Sequence, residues 1–278
     1  MNLLTPLIID TDIGTDIDDA LAIAYAVRSG LDIKLITTVH GDTLTRAKIA
    51  KKLTTELLGT NIPIVAGEQK PIKQNYIYWT GLECKDFLNE PDSDSNSPIP
   101  TNGVDALIEC IEHYKNNITI LSLGPVTNIA KALQRQPSLE SSINHLYLMG
   151  NAIECVHTYH LNYRAHNFKA DPEAIDIVMN TTTPKTILTT QVCKKNHLNL
   201  EELDAWCNTT NPLLQYLGTT AKTWMNYIKY DVAYLYDPLV IHHAIDPSIT
   251  SIHKYEHVNI TTDVNPKFKD IFLKTIQK

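Results

Sequence analysis

The chain has 278 residues, 43% hydrophobic and 20% charged, and its 24 Lys and Arg against 31 Asp and Glu give a formal net charge of −7. That apolar content excludes a disordered tail, and the acidic balance argues against nucleic acid or an anionic membrane surface as partner, because such binders carry basic patches. No apolar run approaches the roughly 20 residues of a membrane span. The start of the chain has no basic leader, and its five cysteines (Cys84, Cys110, Cys155, Cys193, Cys207) never fall in Cys-x-x-Cys spacing. They read as reduced thiols, so the expected location is cytoplasmic.

Leu7-Ile8-Ile9 predicts a first strand, and residues 20–27, apolar nearly all round, predict a buried helix that stops at Gly30. Residues 33–39 predict a second strand, 46–58 a helix, and 62–65 a short strand. Leu107, Cys110, Ile111 and Tyr114 then recur at helical spacing. Residues 118–123 and 145–149 read as buried strands on either side of a helix over 128–133. A helix over 171–179 and a strand over 186–189 follow. The stretch 85–102, rich in Asn, Asp, Ser and Pro, reads as a surface excursion, whereas 198–245 is mainly helical. From His253 onward a strand-like piece precedes a basic helical end.

Continuously apolar strands interleaved with helices predict an α/β fold. The expected architecture is a mainly parallel central sheet with helices on both faces and a helical C-terminal portion, in one domain over residues 1–278. Ligands of such sheets bind beyond the carboxyl ends of the strands.

There the sequence places Asp10-Thr11-Asp12-Ile13-Gly14-Thr15-Asp16-Ile17-Asp18-Asp19, five aspartates within ten residues. Asp10 and Asp12 face the same way in an extended chain, and Gly14 permits the turn that brings Asp18 and Asp19 back toward them. Two carboxylates about 4 Å apart repel by roughly 4 kcal/mol at an effective dielectric of about 20. A crevice that gathers several of them therefore calls for a cation. All-oxygen ligands select Ca²⁺ or Mg²⁺ over zinc, and flexible carboxylates at this density favour Ca²⁺ with Mg²⁺ left open. The plainer alternative is a solvated acidic turn in which Asp18 caps the helix.

Asp10-Thr11-Asp12-Ile13-Gly14 with Asp18-Asp19-Ala20 resembles the Asp-x-Asp-x-Gly and Asp-Asp-Ala signature of the inosine/uridine-preferring nucleoside hydrolases. Thr37-Thr38-Val39-His40-Gly41-Asp42, Gly124-Pro125-Val126-Thr127-Asn128-Ile129-Ala130, Asn167 with Asp171-Pro172-Glu173-Ala174, and Tyr236-Asp237-Pro238 are similar to later blocks of that family in the same order. The resemblance implies hydrolysis of the N-glycosidic bond of ribonucleosides at one Ca²⁺. Its ligands would be Asp12, Asp19, Asp237 and the Leu123 carbonyl, and Asp12 would also take the proton from the attacking water. Asp18 would hold the ribose hydroxyls, Asn167 and Asp42 would stand on the other side of the sugar, and Asp10 would orient the ligands. Asn162 would approach the ribose 5′ end, and Trp79 would supply a stacking face for the base. A homodimer or homotetramer is implied, with a small-molecule nucleoside as partner.

Four departures bear on that transfer. Asp16 and Ile17 are two extra residues, so Asp16 competes with Asp18 for contact with the ribose. Asp42 replaces an Asn, His166 stands where Glu is usual, and Tyr236 replaces a His that serves the leaving group. A tyrosine is a weaker acid at neutral pH than a histidine, although its ring stacks on a base. Two rivals follow. One is a catalytically weak, calcium-dependent nucleoside or sugar binder. The other is a Mg²⁺-dependent phosphatase of the haloacid-dehalogenase type, whose aspartyl motif Asp10-Thr11-Asp12 also resembles. The phosphatase leaves the Thr-Asn-Ile-Ala and Asp-Pro-Glu-Ala blocks without explanation.

Overall fold

Alternation along each strand divides the interior in two. In the computed structural model, which describes residues 5–73, 77–78, 98–155 and 158–278, the strands are β1 (Leu7–Thr11), β2 (Ile33–Thr38), β3 (Ile64–Ala66), β4 (Ile118–Ser122), β5 (Ile143–Gly150), β6 (Ala152–Cys155), β7 (Thr158–Leu161), β8 (Lys185–Thr189), β9 (His197–Asn199), β10 (Val232–Tyr234), β11 (Thr250–Tyr255) and β12 (Val258–Val264). The helices are α1 (Asp18–Arg28), α2 (Thr43–Lys52), α3 (Gly103–Tyr114), α4 (Thr127–Arg135), α5 (His166–Ala170), α6 (Pro172–Met179), α7 (Thr190–Cys193), α8 (Leu200–Cys207), α9 (Pro212–Ile228), α10 (Tyr236–Ile245) and α11 (Lys267–Ile276). Leu7, Ile9, Leu121, Met149 and Leu188 join one core with α1, α10 and α11. Ile8, Ile120, Leu148 and Ile187 join the opposite core with α3, α4 and α6. Successive side chains of a strand point to opposite faces, so a strand apolar at every position needs a helical layer on each side.

The central sheet runs β11-β12-β8-β5-β4-β1-β2-β3 and is parallel from β12 to β3, with β11 antiparallel at its edge. The chain builds outward from β1 to β3 and then returns to β4 on the other side of β1. Between β1 and β4 the order reverses, and a sheet of this kind opens its ligand crevice at such a switch point.

The α/β architecture agrees with the sequence reading, and three local differences have physical causes. The helix expected over 46–58 begins at Thr43, because the Asp42 carboxylate accepts the Thr45 amide at 3.0 Å and starts the helix earlier; after Lys52 the chain widens into a π-helical turn over Leu53–Leu57. The strand-like piece expected from His253 onward grows into the hairpin β11–β12, which begins at Thr250 and extends the central sheet with Val258, Ile260 and Val264 buried against it. The hairpin β6–β7 has exposed residues such as Ile153, so its pattern lacks the buried alternation that marks a strand. Most of the expected excursion over 85–102 lies outside the described residues, as does Trp79. Among the described residues no helix is long and apolar enough to cross a membrane.

Candidate active site

The carboxyl ends of β1 and β4 carry the acidic floor of a cavity of about 440 Å³. Gly14, at φ 112°, turns the chain after β1, and α1 opens with Asp18 and Asp19. Ile17 holds the N-cap position and no side chain caps this helix, so Asp18 is free for the cavity. Asp237 lies in the first turn of α10, so two helix N-termini meet there, a place where negative charge is favoured. Asp18, Asp19 and Asp237 are all buried, with ligand oxygens within 4.8 Å of one another. Burial, then the charges of neighbouring aspartates, holds all three well above the usual carboxylate range. Asp237 Oδ1 is buried and lacks a hydrogen-bond partner among the described residues. An orphaned carboxylate oxygen inside an all-oxygen donor set fits a hard divalent cation. Gly124 lets β4 approach this floor, since a Cβ there would stand 2.7 Å from Asp12 Oδ1.

Asp12 behaves differently from its neighbours. Burial works against its ionisation, yet His166, Arg46 and His40 together hold its pKa below the usual value. His166 Nε2 stands 3.5 Å from Asp12 Oδ2. Arg46 is almost wholly buried and clamps the loop after β1, donating to the carbonyls of Asp12 and Ile13, to Thr15 Oγ1 and, from Nε, to the carbonyl of His40 at 2.7 Å. Beneath the floor, Asp10 accepts from Thr37 Oγ1 at 2.5 Å and Asn128 Nδ2 at 2.7 Å, and burial pushes its pKa up to about 7. Thr11 Oγ1 donates to Asp19. Asn167 Nδ2 donates to the carbonyls of Leu123 at 2.5 Å and Met149 at 3.2 Å, fixing the amide across the ends of β4 and β5.

The opposite wall is aromatic and comes from the end of α9, the segment after it and the first residue of α10: Trp224, Ile228, Tyr230 and Tyr236. Burial raises the Tyr236 pKa, and the charges of Asp18 and Asp16 raise it further, so its phenol is a hydrogen-bond donor and stacking surface rather than a proton source. Asp16 lies where the acidic floor meets this wall. Burial pushes its pKa up to about 6, while the hydrogen bond from the Ile17 amide acts in the other direction.

Of the residues singled out from sequence, Asp12, Asp16, Asp18, Asp19 and Asp237 line the cavity together. Leu123, His166, Asn167 and Tyr236 line it as well. Asp10 supports the floor from below. Asp42 does not line it: the residue is exposed and caps α2, bonded to the Thr45 amide and hydroxyl. Asn162 also stands apart, its side-chain oxygen accepting the Arg164 amide at 3.1 Å within a turn. Sequence reasoning passed over Arg46, Trp224 and Tyr230. A lone Arg on a helix and a Trp at core spacing carry no motif, so only the fold brings them here.

The family described as inosine-uridine preferring nucleoside hydrolase matches residues 7–269. A probable uridine nucleosidase 2 of Arabidopsis thaliana is 30% identical over 258 residues, covering 87% of this chain and 78% of that protein. A pyrimidine-specific ribonucleoside hydrolase, RihA, of Escherichia coli is 27% identical over 261 residues, covering 90% and 83%. In structure, a purine-preferring ribonucleoside hydrolase from Gardnerella vaginalis superposes with a TM-score of 0.82 at 23% identity over 98% of each chain. With its parallel sheet and its acidic crevice at the switch point, the chain belongs to the inosine-uridine preferring nucleoside hydrolase family and is a hydrolase acting on N-glycosyl compounds.

Proposed function

We propose that this enzyme hydrolyses the N-glycosidic bond of ribonucleosides to ribose and free base, with Asp12 as general base toward the attacking water. The observation that carries the reading is the buried group Asp18, Asp19 and Asp237 beside an Asp12 whose pKa is held low. Asp19 and Asp237, with Asp12 and the Leu123 carbonyl, would hold a divalent cation, and the donor set favours Ca²⁺ over Mg²⁺. When bound, that cation lets neighbouring carboxylates ionise together and lowers the pKa of nearby water. Asp12, ionised at neutral pH, accepts the water proton. Asp18 and Asn167 flank the space left for the ribose hydroxyls, and clamping the sugar there supplies positional catalysis toward an oxocarbenium-like transition state. Tyr236 stays neutral and offers the departing base a ring and a hydroxyl donor. A cavity of about 440 Å³ suits one nucleoside. The proposal extends to a single domain over residues 1–278, a cytoplasmic location and a homodimer or homotetramer, as the family resemblance implies.

One observation favours a second reading, a calcium-dependent nucleoside binder with weak turnover: Tyr236 is a poor acid where a leaving-group acid is wanted. Release of reducing sugar from a panel of purine and pyrimidine ribonucleosides, with Ca²⁺, with Mg²⁺ and with chelator, separates the two. Chelator-sensitive ribose release is expected. Cation-dependent nucleoside binding without release would assign the protein to the binder.

A further inference from the structure

Set against the signature that the sequence resembles, Asp16 is one of two extra residues between the Gly14 turn and the Asp18-Asp19 pair. It is half-buried and lines the cavity at the junction between two unlike surfaces. On one side stand Asp18, Asp19 and Asp237, whose oxygens claim the cation and the sugar under the proposed function. On the other stand Trp224, Ile228, Tyr230 and Tyr236, an apolar and aromatic wall with no use for a sugar. A planar base belongs on that wall, and a base lying on an aromatic surface presents its polar edge sideways, to whatever lines the margin.

Asp16 is the carboxylate at that margin, lining the same cavity as Trp224 and Tyr236. Its Oδ1 is held by the Ile17 amide at 2.6 Å, which fixes the side chain in place. An ionised carboxylate offers about four acceptor positions. The Ile17 amide occupies one, and the rest are left for a donor in the cavity. Tyr236, on the other flank of the base site, lies within range of the Asp16 charge.

The geometry points to Asp16 as the specificity residue that reads the leaving base, accepting a hydrogen bond from a ring lactam N–H such as N3–H of uracil or N1–H of hypoxanthine. This assignment rests on the proposed nucleoside hydrolysis, and it takes Asp16 away from the ribose and gives it to the base. A hydrogen bond with a charged partner changes specificity by about 10- to 100-fold. Loss of the donor from the base and loss of the acceptor from the enzyme should therefore cost about the same, and losing both should cost little more than losing either.

The test compares kcat/KM of the wild type and Asp16→Ala on uridine and on 3-methyluridine, which differ at the one N–H. The wild type should prefer uridine by about 10- to 100-fold. Asp16→Ala should lose that factor on uridine and stay within about threefold on 3-methyluridine. Asp16→Asn keeps the volume and a neutral acceptor oxygen, so its preference for uridine should fall between the two, and it alone decides the matter if the alanine variant does not fold. Equal loss on both substrates overturns the assignment, as a ribose contact or a purely structural role would produce. So does a wild type indifferent to the methyl group. A wild type that releases ribose from neither uridine nor inosine overturns the hydrolase reading and this inference with it, an outcome distinct from equal loss in an active enzyme.

Discussion

The acidic floor and the aromatic wall face each other across one cavity but are built in different ways. The floor is local: Asp12, Asp18 and Asp19 lie within eight residues of chain, between the end of β1 and the first turn of α1, and Asp237 joins them from the first turn of α10. The wall is assembled from the end of α9, the segment after it and the first residue of α10, which lie in the chain between β8 and β12. Under the proposed function the floor carries the hydrolytic chemistry, which needs a fixed set of oxygens, and the wall, which can vary in residue type while it keeps its shape, receives the base.

Substitutions on the two sides should separate accordingly. Asp12→Asn should keep the fold and lose at least about 10³-fold in turnover, the scale of general base catalysis, with near-wild-type circular dichroism; unchanged turnover would remove Asp12 from its role. Arg46→Met leaves the carbonyls of Asp12, Ile13 and His40 without their donor in a buried site, and should cost about 3 kcal/mol in urea unfolding. Arg46→Lys should recover part of that, whereas a neutral Arg46→Met would mean the clamp contributes nothing. Trp224→Ala should raise KM by about tenfold with a smaller change in kcat, because it removes a stacking surface and leaves the floor intact. A fall in kcat alone would place the indole on the catalytic side.

Two smaller effects sharpen the contrast between cavity and scaffold. Asp42→Ala should cost about 1 kcal/mol of stability as a lost helix cap and leave kcat/KM within about twofold; a large loss of activity would return Asp42 to the sugar. Lys185, wholly buried on β8 and donating to the Thr181 carbonyl at 2.8 Å, has its pKa lowered by burial to about 8. Between that value and the usual 10.5 the unfolded chain binds the proton more tightly than the folded one, so this residue makes stability rise with pH across the window. Lys185→Met should remove that rise in urea midpoints measured at pH 8, 9 and 10, and an unchanged slope would show that Lys185 titrates normally.

Much of this was legible in the sequence because the informative residues sit where the chain must be regular. Strands with no polar break had to be covered on both faces, which fixed the α/β class, and the aspartates had to follow the first strand. Gly14 was readable for the same reason, since the turn after β1 needs a positive φ. What escaped notice depended on contacts far apart in sequence. Arg46 belongs to no motif in the sequence, yet the loop after β1 wraps around its guanidinium. Trp224 shares its helix with Leu217, Ala221 and Met225, a core-facing stripe in which one more aromatic carries no signal of a ligand. Asp42 shows the converse. Its position in a motif suggested a sugar contact, whereas its place just before Thr43-Leu44-Thr45 was already that of an N-cap.

The central claim is that buried carboxylates from β1, α1 and α10 act together through a divalent cation. It is tested most directly by adding Ca²⁺ to chelator-stripped enzyme while reducing-sugar release and thermal midpoint are followed in parallel, in the wild type and in Asp237→Asn. Activity and midpoint should rise together in the wild type and respond weakly or not at all in the variant. Full hydrolysis by the stripped wild type in excess chelator, or an Asp237→Asn response equal to that of the wild type, would contradict the account.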